Sequence, residues 1–107
     1  MPSAPKSEIL KLASLAEYQT GAVVSRQITK SEGGNVTLFA FDEGQELSEH
    51  TAPYDALVHV LDGEAEITIS GKPYRLNPGE AIIMPANDPH ALKAVKPFKM
   101  LLTMIKA

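Results

Sequence analysis

The stretch that decides the fold is residues 79–90, which reads GEAIIMPANDPH and ends in His90. A second stretch, residues 44–56, reads GQELSEHTAPYDA and carries His50, forty residues before His90. Glycine and proline residues punctuate both stretches at positions that favour turns. The two histidines therefore belong to two separate segments. A short apolar run follows the segment of His50, and another precedes His90 within its own segment.

The rest of the chain after about residue 21 has the same texture of short β-type runs between turns. Residues 36–41 are a strong strand, and residues 56–61 and 65–70 flank an Asp62-Gly63 pair typical of a β-hairpin. A further turn is expected at residues 77–79, where proline and glycine favour the required backbone angles. About eight or nine short strands separated by such turns predict an all-β sandwich or barrel.

The N-terminal part has a different pattern. Residues 1–20 are predicted to form a tail and a short helix, and residues 21–107 a single β-barrel domain. Two prolines and small polar residues in residues 1–7 predict a loose start. Ser7 is a candidate helix cap, and the apolar residues that follow are spaced for one or two helical turns. These residues are Ile9, Leu10, Leu12 and Leu15.

Length and composition exclude several classes of function. The 107 residues suffice for one domain with a modest core. The net charge is −3 and no basic cluster is present, which argues against nucleic acid as a partner. The absence of cysteine excludes disulfides and thiolate metal ligands, and it suits the cytoplasmic location that we predict. No signal-like core or run of about 20 apolar residues is present, so no membrane association is expected.

Several predicted strands are apolar on both faces, whereas a solvated outer face would alternate with polar residues. In the last strand one face carries Met100, Leu102 and Met104, and the other carries Leu101, Thr103 and Ile105. One barrel has only one interior, so the second apolar face needs another cover. The N-terminal helix or loops could provide it, but we favour a homodimer that buries one sheet.

The spacing around His50 resembles the first signature motif of the cupin superfamily, G-x5-H-x-H-x3-E-x6-G. Gly44, His50 and Gly63 match this motif. Ala52 stands at the second histidine position and Ala56 at the glutamate position, so the metal motif is degenerate. The resemblance implies the antiparallel double-stranded β-helix of small, single-domain, RmlC-like cupins of the Cupin_2 type, a jelly-roll barrel in which the two motifs meet.

The spacing around His90 resembles the second cupin motif, G-x5-P-x-G-x2-H-x3-N. Gly79, Pro85 and His90 match, whereas Asn87 replaces the inner glycine and Ala94 the final asparagine. The two motifs and the hairpin glycines between them identify the chain as a cupin over nearly all of the predicted barrel.

Cupins commonly hold a divalent iron, manganese, nickel or zinc ion, for which imidazoles and a carboxylate are suitable ligands. Only His50 and His90 remain of the four family positions, so a third ligand would come from elsewhere. The nearest carboxylates are Asp55, expected in a loop, and Glu49, which strand alternation places on the opposite face from His50. The same alternation places Ser48 on the face of His50.

Other candidate residues follow from these positions. Tyr54 is expected in a loop at the cavity mouth, as a phenol donor to a ligand or as a packing residue, and His59 is expected to point out of the barrel. Methionines are core residues or an adaptable pocket lining. The candidate catalytic residues are His50, Tyr54 and His90. The candidate ligand-binding residues are Ser48, His50, Tyr54, Met84, His90 and Met104.

Three functions remain open, and the sequence does not decide whether the chain is an enzyme. The preferred one is non-catalytic binding of a small molecule in the barrel. The second is a metal-dependent enzyme, of the dioxygenase or isomerase class, with an incomplete two-histidine site. The third is a metal-free acid/base enzyme similar to sugar-nucleotide epimerases, using a histidine and Tyr54. The third ranks last, because Arg26 and Arg75 are the only arginines available to hold a nucleotide.

Overall fold

The computed structural model describes residues 3–106, and within them nearly all regular structure is β-strand. One 3-10 turn, Leu12–Ser14, precedes the strands. The strands are β1 (Val23–Ser31), β2 (Gly34–Phe41), β3 (Glu46–His50), β4 (Tyr54–Asp62), β5 (Ala65–Ile69), β6 (Lys72–Leu76), β7 (Ala81–Met84), β8 (His90–Ala94) and β9 (Phe98–Lys106). None of the helical structure in this range is long and apolar enough to cross a membrane.

The strands form two antiparallel sheets. One has five strands in the order β1-β2-β9-β4-β7, and the other has four in the order β3-β8-β5-β6. Sequence neighbours such as β3 and β4 lie in different sheets, so the chain passes repeatedly from one sheet to the other. This arrangement confirms the predicted jelly-roll barrel of the double-stranded β-helix type.

The core lies between the two sheets because alternate residues of each strand face inward. In β5, for example, Ala65, Ile67 and Ile69 are buried while the two residues between them are half-buried. The buried residues of this core are Phe41, Ala56, Val58, Val60, Ala65, Ile67, Ile69, Leu76, Met84, Leu92, Ala94, Phe98 and Met100. The interior of the barrel is therefore filled by side chains along most of its length.

One end of the barrel is closed by aromatic stacking. The rings of Phe41 and Phe98 are fully buried and stack with centroids 4.5 Å apart. Beside them, the β4–β5 turn packs directly onto the β8–β9 loop. Gly63 in this turn has φ 78°, and a Cβ at this position would lie 1.8 Å from the carbonyl oxygen of Pro97. Only glycine permits both this backbone conformation and this close approach.

The N-terminal segment is more ordered and less helical than the sequence indicates. Its helix is reduced to the single 3-10 turn, and Ser7 does not cap it, because Ser7 has φ 60° and lies four residues ahead of the capping position at Lys11. The prediction of a loose start is wrong at Ala4, which is buried and donates its N–H to the carbonyl of Ile28 in β1 at 2.9 Å.

This segment covers half of the outer face of the five-stranded sheet. Ala16 is buried against Leu38 and Ala40 of β2. Two polar contacts hold it: the Lys99 ammonium donates to the carbonyl of Ala13 at 2.5 Å, and the Tyr18 hydroxyl donates to the carboxylate of Asp62 at 2.5 Å. Burial, and then the hydrogen bond to the Asp62 carboxylate, raise the pKa of Tyr18 well above its ordinary value.

Another part of this outer face is not covered by any of residues 3–106. Leu57, Ile83 and Ile105 are 39%, 61% and 60% exposed on β4, β7 and β9. His59 lies on the same face of β4, half-buried and opposite Leu101 in register. The N-terminal segment thus accounts for one part of the second apolar face, and the homodimer stays a prediction for the other part.

Candidate ligand-binding site at the open end of the barrel

The two histidines meet at the end of the barrel opposite the stacked phenylalanines. His50 is the last residue of β3 and His90 the first of β8, and they are direct partners in the antiparallel register. Three steps along β3, from Leu47 to His50, match only two steps along β8, from Leu92 to His90. This bulge lets Leu47 and His50 both face inward although they are an odd number of residues apart.

The same bulge moves Ser48 off the histidine face. Ser48 is exposed and lines a groove on the outer surface of the four-stranded sheet, with Glu49, Glu66 and Lys93. Regular alternation predicts the Ser48 side chain beside His50, and this prediction is wrong because the extra residue interrupts the alternation. Only the backbone carbonyl of Ser48 reaches the site.

The hydrogen bonds of the two rings determine where their protons lie. The Nδ1–H of His50 donates to the carbonyl of Ser48 at 2.7 Å, and the Nδ1–H of His90 donates to the carbonyl of Asp88 at 3.1 Å. A carbonyl oxygen can only accept, so each neutral ring carries its proton on Nδ1. The two Nε2 atoms lie 3.1 Å apart with the rings nearly perpendicular, at 74°. Their lone pairs converge on a position that requires a proton, a cation or a donor from a ligand.

The two rings differ in their exposure to solvent. His90 is 5% exposed, whereas His50 is open to solvent. Burial lowers the pKa of His90, and a positive charge on His50 lowers it further, against the opposing effect of the Asp88 carbonyl. One proton shared between the Nε2 atoms is stabilised by the contact, but a second proton places two charges side by side. The pair therefore holds one proton more readily than two.

Apolar residues of the five-stranded sheet line the interior at this level. Ala56 lies between Met84 of β7 and Met104 of β9 in register. Ala56 and Met84 are almost fully buried, and Met104 is half-buried. Met84 is therefore a core residue, while Met104 is accessible from the open end. The family motif has a carboxylate at the position of Ala56, whereas here a small side chain lies between two methionines.

Tyr54 and Asp55 were both expected in a loop, but both belong to strand β4. Tyr54 begins β4, is half-buried, and shares the inner face with Ala56 at the rim of the barrel. Asp55 is on the other face, and its carboxylate accepts the N–H of Ala86 at 2.9 Å. Asp55 is thus held away from the histidines, and it is not placed to be the third metal ligand that its expected loop position suggested.

A metal ion would find two suitable ligands here. Metal–nitrogen bonds of about 2.0–2.1 Å separate two neighbouring nitrogen ligands by about 3.0–3.4 Å, and the two Nε2 atoms are 3.1 Å apart. Within residues 3–106, however, no group of three or more histidine or carboxylate side chains is placed to hold an ion. The pair supplies half of a tetrahedral shell, and water or a ligand would have to complete it.

No arginine faces the histidine pair. Arg75 pairs with Glu64 at 2.7 Å on the outside of the four-stranded sheet, and Arg26 is opposite Leu38, whose side chain lies in the outer cluster. These positions argue against an epimerase-like enzyme, which would need arginines beside the site to hold a nucleotide diphosphate.

One residue that the sequence analysis overlooked shares the row of the histidines. Lys72 of the edge strand β6 pairs with Ile69 of β5. Ile69 in turn pairs with His90, and His90 pairs with His50. These four side chains form one row across the inner face of the sheet. The alternation of Lys72, Tyr74 and Leu76 after the turn at Gly71 could have indicated this position.

Comparison with known proteins agrees with this architecture. The Cupin_2 family of cupin domains matches residues 37–105. The chain belongs to the cupin family. It resembles a conserved protein of unknown function from Streptococcus pyogenes, with 37% identity over 100% of this chain and 96% of that one, at a TM-score of 0.92.

Two further solved structures are similar. A cupin superfamily protein from Desulfitobacterium hafniense is 32% identical over 99% of this chain and 97% of that one, with a TM-score of 0.91. A cupin 2 conserved barrel domain protein from Leptotrichia buccalis is 42% identical over 91% of this chain and 47% of that one, with a TM-score of 0.88. No curated protein matches the chain. The relatives therefore establish the family and the fold, and no activity.

Proposed function

We propose that this cupin binds a small molecule at the open end of its barrel, with the His50–His90 pair as the polar contact. The observation that carries this proposal is the convergence of the two Nε2 atoms, 3.1 Å apart, with both Nδ1–H groups already used by backbone carbonyls. Small-molecule sites are commonly apolar with a few converging polar groups, and the histidine pair would supply such polar groups.

The pair can serve a ligand in two protonation states. With both rings neutral, each Nε2 accepts a hydrogen bond from a ligand hydroxyl or amine. With one proton bound, the pair presents a donor instead. The buried side chain of Ile69, next to His90 in register, shields that side of the pair from water, and a ligand would cover the exposed side at His50. The backbone carbonyls of Ser48 and Asp88 keep both rings in the orientation that the ligand needs.

A thermal-shift screen of a metabolite library tests this proposal with three matched variants. Ligands that raise the melting temperature of the wild type should lose their effect in His50→Ala and His90→Ala. They should keep it in His59→Ala, which removes the third histidine from the outer face. A ligand whose shift survives both His50→Ala and His90→Ala binds elsewhere and contradicts the proposed site.

A second candidate is a metal-binding cupin, which the 3.1 Å separation of the Nε2 atoms favours. His50 and His90 would hold the ion, and the carbonyls that accept their Nδ1–H groups would fix the ring orientation. When bound, such an ion supplies Lewis-acid activation of a ligand oxygen.

Elemental analysis of protein purified without an affinity tag separates the two candidates. Near-stoichiometric iron, manganese, nickel or zinc that is lost in His50→Ala and His90→Ala, but kept in His59→Ala, supports the metal candidate. Failure to take up any of these ions after reconstitution eliminates it and leaves the small-molecule proposal.

The proposed binding protein is also a homodimer in which the uncovered patch of Leu57, Ile83 and Ile105 meets a second copy. Two sheets can pack face to face, and a twofold axis buries the same patch on both copies. In sedimentation, Ile83→Glu should halve the mass, whereas Thr68→Glu on the outer face of the other sheet should not. A monomeric wild type contradicts the dimer.

A further inference from the structure

We propose that Lys72 is a ligand-binding residue and that the ligand of this site is a small organic monocarboxylate. The proposal rests on the proposed function, because it names the chemical class of the molecule that the histidine pair would contact. It adds a second contact point, a cation at the other end of the row that contains His50 and His90.

The register brings Lys72 into line with the histidine pair. Ile69 pairs with Lys72 on one side and with His90 on the other, so Lys72 is two strands away from His90 on the same inner face. Neighbouring strands are about 4.7–4.9 Å apart, so the two backbones are separated by roughly 9–10 Å. A long lysine side chain covers part of this distance, and the remainder suits a ligand of a few bonds.

A groove borders the Lys72 end of this row, and neither His50 nor His90 lines it. It lies between the edge strands β6 and β7, which do not pair with each other, and it has a volume of about 530 Å³. Its lining residues are Ile69, Ser70, Lys72, Tyr74, Ile82, Ile83, Pro85 and Asp88. Asp88 connects the groove to the histidines, because its backbone carbonyl accepts the Nδ1–H of His90. A ligand held at Lys72 would therefore lie beside the histidine pair and would contact it by extending past Ile69.

The charges in the groove favour an anion with a single charge. Among residues 3–106, the ion pairs within 4.0 Å involve Arg75 with Glu64 and Glu66, and none involves Lys72. The Lys72 ammonium lies 5.3 Å from the centre of the Tyr74 ring, a contact that leaves its hydrogen-bond donors available. The Asp88 carboxylate on the same groove repels negative charge, so we expect the ligand to carry one charge, held at Lys72 and away from Asp88.

The walls of the groove define the rest of the ligand. Ile69 is buried, and Tyr74 and Ile82 are half-buried and pack against the core. They offer an aromatic face and aliphatic side chains to an apolar body. A carboxylate attached to a short aliphatic chain or to a single ring satisfies both the cation and these walls. A phosphate dianion would need more donors than one ammonium supplies.

The test is an NMR titration of ¹⁵N-labelled protein with benzoate and hexanoate, and with the matched neutral amides benzamide and hexanamide. The carboxylates should shift the amide signals of Ile69, Ser70 and His90, and should bind more tightly than the amides. Lys72→Gln should weaken the carboxylates about tenfold or more, as expected for loss of a charge-assisted hydrogen bond, and should leave the amides unchanged. Lys72→Arg should restore most of the affinity.

Lys93→Gln is the matched control, because Lys93 is exposed on the outer face of β8 in the same sheet. It should leave all affinities unchanged. Equal binding of acids and amides, unchanged carboxylate affinity in Lys72→Gln, or absence of carboxylate binding to the wild type would each overturn the role of Lys72. Inorganic phosphate that binds more tightly than benzoate would overturn the carboxylate assignment.

The outcome also separates this inference from the proposed function. A neutral library compound that depends on His50 and His90 but not on Lys72 would overturn only the inference. Loss of carboxylate binding in Lys72→Gln with full binding in His50→Ala and His90→Ala would support the Lys72 site and contradict the histidine site.

Discussion

The two ends of this barrel are built from the same strands but are filled in opposite ways. At the closed end, Phe41 and Phe98 stack at 4.5 Å with no exposed surface, and Gly63 lets two turns pack backbone to backbone. At the open end, His50 and His90 face each other across 3.1 Å, and His50 is open to solvent. One end thus consists of apolar contacts and the other of directional polar ones.

This difference indicates a division of roles along the barrel axis. Burial of large aromatic side chains contributes strongly to the stability of a small domain. A half-exposed imidazole pair contributes little of it, since its hydrogen bonds exchange with those of water. The open end therefore contributes less to stability, and the alanines at positions 52 and 56 are where this chain departs from the first cupin motif.

The largest expected effect is at the closed end. Phe98→Ala should lower the free energy of unfolding by about 3–5 kcal/mol, because it leaves a cavity beside the Phe41 ring. Ile105→Ala, on the same strand but 60% exposed, should cost less than about 1 kcal/mol. Urea denaturation followed by circular dichroism measures both. Similar losses for the two variants would show that stability is not concentrated at the closed end.

The second-largest effect is expected on the metal affinity of the open end. Ala52→His returns an imidazole to the second histidine position of the first motif and should raise the affinity for Ni²⁺ or Co²⁺ at least tenfold, about 1.4 kcal/mol. Isothermal titration with each ion gives the affinities. His59→Ala in the same background is the control, because His59 faces outward. An unchanged affinity would mean that the backbone after β3 no longer directs residue 52 towards the pair.

The smallest expected effect is the pH dependence of stability. Because the pKa of His90 is lowered in the folded protein, the unfolded chain binds more protons as pH falls through the ordinary histidine value of about 6.5. Folding therefore becomes less favourable between about pH 7.5 and 5.5. In buffer containing a chelator, His90→Gln should flatten this dependence in urea denaturation, and His59→Gln should not. If stability fell more steeply with falling pH in His90→Gln than in the wild type, the pKa of His90 would be raised, and not lowered, by folding.

Much of the fold could be predicted because its signals are local. The turn residues at Asp62-Gly63 and residues 77–79 delimit strands that the structure contains. The resemblance of the segments around His50 and His90 to two cupin motifs indicated that the strands would close into one barrel. The predicted N-terminal helix is wrong in length, although its apolar residues are spaced for a helix. The segment instead packs onto β2 through Ala16 and its neighbours.

The candidate site was less predictable because its geometry depends on contacts between strands. Ser48 was placed beside His50 by alternation, and one bulge reversed its direction. Asp55 was expected in a loop, but it lies in β4 and its carboxylate accepts the N–H of Ala86. Lys72 gave no motif at all, and its place in the histidine row follows only from the pairing of β6 with β5 and of β5 with β8.

The sequence by itself determined that the chain is an all-β cupin and that His50 and His90 are its two remaining motif histidines. Turn chemistry and alternation act over a few residues, so they can be read from the chain directly. Only the tertiary structure decided that the two Nε2 atoms converge, that Asp55 is held elsewhere and that Lys72 joins the row. Those facts depend on register and bulges between strands distant in sequence, where a shift of one residue turns every side chain to the other face.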